Sequence, residues 1–131
     1  MLELGKKQTL VVVKKVEFGV YLGERVNASM DERVLLPKKQ VPEGVREGDE
    51  LEVFLYRDSS DRLIATTNEA KLQMGEVREL TVAAVSKIGA FLDWGLEKDL
   101  FLPFKEQTYK VKPGDECLVG LYIDKSQRLC A

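Results

Sequence analysis

Apolar residues in this chain recur in short alternating runs, and turn-forming residues break each run before a helical period develops. Thr9 to Val16 is rich in β-branched residues and predicts a first strand. Gly19 introduces a second, Val20 to Leu22. Val34 to Leu36 is a short third strand, stopped by Pro37. Glu50 to Tyr56 alternates, which sends Leu51, Val53 and Leu55 to one face. Asp58-Ser59-Ser60-Asp61 is a turn cluster, and Arg62 to Thr67 completes a set of five strands. Pro37 to Pro42 is a candidate for a short helix, and Asn68 to Met74 for a linker or one helical turn.

The pattern then repeats. With an offset of 70, Gly5, Leu10, Val12 and Leu22 fall on Gly75, Leu80, Val82 and Leu92. Phe18-Gly19-Val20-Tyr21-Leu22 falls on Ile88-Gly89-Ala90-Phe91-Leu92. The offset then drops to 66, because the first copy has four extra residues in the loop around Glu24 to Arg33. In that register Leu35-Leu36-Pro37 meets Phe101-Leu102-Pro103, Gly48-Asp49 meets Gly114-Asp115, and Leu55-Tyr56 meets Leu121-Tyr122. Asp58 meets Asp124, Arg62 meets Arg128 and Ala65 meets Ala131. Phe104 to Tyr109 is the second copy's candidate for a short helix. A duplication resets the domain count: two modules, residues 1–70 and 71–131, in place of the single domain that 131 residues would otherwise suggest.

Five short strands without a helical period suit a small Greek-key barrel, so the expected fold is all-β, two tandem OB-fold barrels. The 44% hydrophobic and 32% charged content fits a soluble globular chain. There is no membrane-length apolar run and no secretory leader, so the expected compartment is cytoplasmic. Without a single histidine, the commonest general base and metal ligand is missing, and Cys117 and Cys130 alone cannot close a zinc site. The two cysteines read as reduced thiols. No paired-carboxylate site and no phosphate-cradling glycine loop occurs, so neither an enzyme nor a cofactor is implied. The net charge of −2 means that any nucleic-acid site must rest on locally clustered cations.

Each half resembles the S-one RNA-binding domain of the OB-fold class. The landmarks are Gly5, Phe18-Gly19-Val20-Tyr21-Leu22, Val34-Leu35-Leu36, Gly48-Asp49, Asp58 and Arg62. In the second half they are Gly75, Ile88-Gly89-Ala90-Phe91-Leu92, Leu100-Phe101-Leu102, Gly114-Asp115, Asp124 and Arg128. The stretch from Phe91 to Phe104, with Asp93-Trp94-Gly95 inside it, is similar to the second such domain of the bacterial conserved virulence factor B family. That resemblance implies RNA binding, a regulatory role and further domains in a longer parent chain. Two departures stand out: Pro37 and Pro103 occupy places where the family often has a histidine that holds RNA, and Ile88 replaces the first aromatic.

By this resemblance Phe18, Tyr21 and Phe91 are the candidates for stacking on unpaired bases, which tolerates any sequence. Lys14, Lys15, Lys38, Lys39 and Arg62 are candidates to follow phosphates. Asp58 either orients Arg62 or accepts from a base, and Asp124 and Arg128 hold the equivalent places. Phe18 and Tyr21 are three residues apart, so a regular strand would point them to opposite faces; a bulge at Gly19 would reunite them. The competing reading puts the aromatics in the core, makes Asp58–Arg62 a surface ion pair, and leaves the lysines as a solvated face. Trp94 either covers a barrel end or meets a neighbouring domain. The expected partner is single-stranded RNA, bound with modest, salt-sensitive affinity. The alternative is a protein-interaction or spacer module. The first half, with both aromatics beside Gly19, is the better candidate for RNA.

Overall fold

The computed structural model describes residues 2–58, 60–103, 107, 110–124 and 129–131. It divides into two compact units, Met1–Asn68 and Glu69–Ala131. The first comprises β1 (Lys7–Val16), β2 (Gly19–Gly23), β3 (Val34–Pro37), β4 (Glu50–Arg57) and β5 (Leu63–Thr66), with 3-10 turns at Met30–Glu32 and Lys38–Gln40. Their order around the sheet is β1-β2-β3-β5-β4, and the sheet closes into a barrel. Only β3 and β5 run parallel. The candidate helix after Pro37 is the single turn Lys38–Gln40, too short to hold more than one intra-turn bond, Val41 N–H to the Lys38 carbonyl.

Closure makes β1 pair along both edges: Lys7 to Val11 lie against β4, and Val11 to Val16 against β2. Between the Val12–Leu22 and Lys14–Tyr21 pairs the register slips, leaving Val13 as an extra residue on β1. The bulge therefore lies on β1 at Val13 and not at Gly19, where the sequence suggested it; Gly19 itself pairs in register with Val16 and Pro37. The bulge reverses the alternation, so that Val12 faces the core and Lys14, two residues on, faces outward. Inside the barrel, Leu10, Val12, Val20, Leu22, Val34, Leu36, Val53 and Leu55 form one cluster, each at most 2% exposed.

The second unit repeats this frame with β6 (Val77–Val85), β7 (Gly89–Asp93), β8 (Leu100–Pro103), β9 (Glu116–Gly120), β10 (Tyr122–Ile123) and β11 (Leu129–Cys130). The sheet order is β10-β11-β8-β7-β6-β9. Its outer strands β9 and β10 are separated in sequence only by Leu121, so together they stand where β4 stands in the first unit. The bulge recurs at Ala83. Asn68 to Met74 holds no helix; it carries the buried Leu72, and Lys71 N–H donates to the Trp94 carbonyl. Trp94 is itself buried, with its indole N–H donating to the Lys98 carbonyl at 2.7 Å. Most of the candidate helix Phe104 to Tyr109 lies outside the described residues. The fold is all-β: the first sheet is a closed barrel and the second a curled half-barrel of six strands, consistent with tandem OB-fold domains.

Two glycines are demanded by close approach. A Cβ on Gly19 would sit 2.2 Å from the Leu36 carbonyl oxygen, and one on Gly89 would sit 2.4 Å from that of Leu102. Gly19 also has φ of 151°, a region that side chains disfavour. Gly19→Ala should therefore cost the first barrel about 1–3 kcal/mol, the range for forced overpacking. Gly120→Ala, whose Cβ would meet nothing closer than 3.6 Å, should be near neutral. Urea unfolding of the two variants checks this.

Candidate nucleic-acid interface

The outer surface of the first barrel carries a transverse row defined by strand register. Lys14 pairs with Tyr21, Tyr21 with Leu35, Leu35 with Ile64, and Ile64 with Tyr56. Directly paired residues project to the same side of a sheet. Lys14 is exposed; Tyr21, Leu35 and Ile64 are half-buried; Tyr56 is buried. Phe18 lies in the β1–β2 turn just before Gly19 and is 56% exposed. Its ring meets Tyr21 edge-on, with centroids 6.2 Å apart and planes at 89°. The two aromatics thus share a face because Phe18 sits outside the strand alternation. Edge-to-face contact is a favoured aromatic geometry, and it leaves ring surface of Phe18 open to solvent.

The cations surround this row unequally. The backbone N–H of Lys38 donates to the Phe18 carbonyl at 2.9 Å, which fixes Lys38 beside the turn. Lys15 pairs with core-facing Val20, so it stands at the barrel mouth rather than in the row. Lys15, Lys38 and Val41 border an open recess of about 400 Å³ next to Gly19. Among the described residues, Lys14, Lys15 and Lys38 form no ion pair. Lys39 is exposed in the same 3-10 turn.

Asp58 serves the β4–β5 hairpin. Its Oδ1 accepts from the backbone N–H groups of Ser60 and Arg62, both at 2.9 Å. Its Oδ2 takes the Arg62 guanidinium through Nε at 3.1 Å and Nη2 at 3.0 Å. Asp61 adopts a left-handed conformation, φ 61°, within this turn. Arg62 remains 76% exposed and lies two residues before Ile64. Partial burial pushes the Asp58 carboxyl pKa upward, but the N–H groups of Arg62 and Ser60 and the Arg62 guanidinium outweigh it, holding the group below its ordinary 3.8.

In the second barrel the corresponding row runs Ala84, Phe91, Phe101, Cys130 and Tyr122. Phe91 and Phe101 are half-buried, with centroids 5.4 Å apart and planes tilted by 42°. Ile88 occupies the Phe18 position and is 66% exposed. Asp124 accepts from the Cys130 thiol at 3.5 Å; its expected partner Arg128 lies outside the described residues. Sequence reasoning passed over Leu35, Ile64, Phe101 and Tyr122. The signal was present: with Val34 and Leu36 inside, Leu35 must point out, and the offset of 66 carries it to Phe101.

The S1 domain family profile matches residues 4–68 and again residues 74–131. The chain belongs to the S1 domain family. The Bacillus subtilis protein YitL is 29% identical over 97% of this chain, which covers 43% of that relative. Conserved virulence factor B of Staphylococcus aureus is 32% identical over 63% of this chain and 29% of its own length. A multidomain protein with nucleic acid binding domains from Streptococcus pneumoniae superposes with a TM-score of 0.77 at 21% identity, over 97% of this chain and 44% of that one. The two S1 domains thus span less than half the length of these relatives. Among the described residues no cluster of three or more metal-ligating side chains occurs, and no helix is long and apolar enough to cross a membrane.

The Asp58 turn gives a test within the first S1 domain. A lowered carboxylate pKa contributes stability that is present above the ordinary value of 3.8 and is lost as pH falls through the folded value. Asp58→Asn should destabilise this domain by about 1–2 kcal/mol at neutral pH. In urea unfolding the gap from the parent should close in strong acid.

Proposed function

We propose that the chain is a non-catalytic module that binds single-stranded RNA, chiefly through the outer face of its first S1 domain, within a longer regulatory protein. One observation carries the reading: Phe18, Tyr21, Leu35 and Ile64 form a continuous aromatic and aliphatic surface flanked by Lys14, Lys38 and Arg62. OB-folds bind oligonucleotides on the second and third strands and on the loops after the first and fourth strands. Here Tyr21 and Leu35 stand on those strands, and Phe18 and Arg62 belong to those loops. The pneumococcal structure with the same fold is described as having nucleic acid binding domains, which favours the same ligand class. S1 and OB-fold binding domains are typically non-catalytic, and the absence of histidine agrees with that.

The domains differ in what they offer. Where the first has Lys14, Lys15 and Phe18, the second has Ala84, Val85 and Ile88. This replaces two cations with apolar groups, and it favours a spacer or protein-contact role for the second domain's outer row.

Fluorescence anisotropy with a short labelled single-stranded RNA tests the proposal, with duplex DNA as control. Phe18→Ala combined with Tyr21→Ala should weaken binding at least tenfold, since stacking contributes about 1–3 kcal/mol per base. Three or four phosphate contacts predict a log–log salt slope of about −2 to −3. Phe91→Ala with Phe101→Ala should have the smaller effect. RNA binding indifferent to the first pair would rule the platform out.

A further inference from the structure

Because the two S1 domains share one frame, each shows what the other's surface could have been. On the outer face of β1 and β4, Lys7 and Glu52 stand diagonally across the strand pair and form an ion pair at 3.2 Å. Their counterparts on β6 and β9 are Val77 and Leu118, in the same diagonal relation. Both are largely solvent-exposed, at 67% and 69%. Opposite Val77 is Gly120, where the first domain has Phe54, so no side chain separates Val77 and Leu118 from bare backbone. Nothing in the barrel requires an exposed valine and leucine here, since the sister domain holds the same strands together with a salt bridge in their place. Contiguous exposed apolar groups of this kind mark contact surfaces.

Charge selects the occupant. Glu79, directly opposite Leu118, and Glu116 lie on this same face and are exposed. The first domain has Thr9 in the place of Glu79 and keeps a lysine, Lys7, in the place of Val77. Glu116 keeps the place of Glu50, and Glu79 is gained where Glu52 gives way to Leu118, so the face keeps two anions, loses its cation and becomes apolar at its centre. An acidic rim repels phosphates, which disfavours nucleic acid and anionic lipid. A second copy of the chain would set Glu79 and Glu116 against their own equivalents. A basic protein segment satisfies both features, because rim charges choose partners while apolar centres hold them. We propose that the outer face of β6 and β9 docks a protein segment whose apolar side chains are flanked by Lys or Arg. This inference stands independently of RNA binding, since it uses a different strand pair from Phe91 and Phe101.

The full chain, labelled with nitrogen-15, is titrated with a synthetic peptide of alternating leucine and lysine. Peptides alternating serine with lysine, and leucine with glutamate, serve as controls. The leucine–lysine peptide should shift amides around Val77 and Leu118, and both controls should bind at least tenfold more weakly. Val77→Lys combined with Leu118→Glu, which installs the sister domain's ion pair, should reduce binding at least tenfold and leave the melting temperature unchanged. If that variant unfolds, Val77→Thr with Leu118→Thr should show the same loss. Shifts confined to other faces, equal binding of the serine–lysine peptide, or binding unaffected by the folded variant would overturn the proposal. Sedimentation showing a dimer that the substitutions disperse would also overturn it, by making a second copy the occupant.

Discussion

A five-stranded sheet closes into a barrel only if its first strand bonds along both edges, and the rest of each S1 domain follows from that demand. β1 is shared between β4 and β2, and the changeover occurs at Val12, whose N–H and C=O exchange bonds with Asp49 and Gly48. Val82 does the same with Asp115 and Gly114. The extra residue beside it, Val13 or Ala83, bends the strand around the barrel. That bend also resets which residues point outward, which is how Lys14 comes to stand beside Tyr21. Closure thus builds the core and places the first residue of the proposed binding row in one step.

The interior and exterior of the two barrels are constrained differently. Gly19 and Gly89 each press against a carbonyl oxygen of the third strand, and the core positions Leu10, Val12 and Leu22 recur unchanged as Leu80, Val82 and Leu92. Outside, Lys14 becomes Ala84, Phe18 becomes Ile88, Leu35 becomes Phe101, and the Lys7–Glu52 ion pair becomes Val77 and Leu118. Substitutions at exposed sites usually change stability by about 0.5 kcal/mol or less, so one frame can carry two distinct surfaces. The first domain presents aromatic groups among cations. Among the described residues, the second exposes Val77, Ile88 and Leu118, and has Ala84 and Val85 where the first has Lys14 and Lys15.

Much of this frame was legible in the chain itself. The offsets of 70 and 66 disclosed two copies, and alternation in Glu50 to Tyr56 correctly sent Val53 and Leu55 inside. Alternation failed for Phe54 and Tyr56, which are buried although they face away from that core. Phe54 lies beside Thr66, whose hydroxyl is tied to the Gln40 side chain, a contact across 26 residues that no local pattern records. The bulge was expected at Gly19, and its true place at Val13 escaped detection because Val11-Val12-Val13 reads as an uninterrupted strand, with no glycine or proline to mark the irregularity. Of the candidate site residues, Phe18, Tyr21 and Lys14 come together on one face, and Lys38 is tied to the Phe18 turn. Asp58 is committed to its hairpin instead, because a carboxylate two residues before one N–H and four before another is placed to organise the turn it begins.

The most direct test is ultraviolet crosslinking of the full chain to a single-stranded RNA, followed by mass spectrometric assignment of the crosslinked residues. The account predicts that Phe18 and Tyr21 carry the dominant adducts, with weaker labelling at Phe91 or Phe101. Adducts concentrated on the outer faces of β4 or β9, with none at Phe18 or Tyr21, would contradict it.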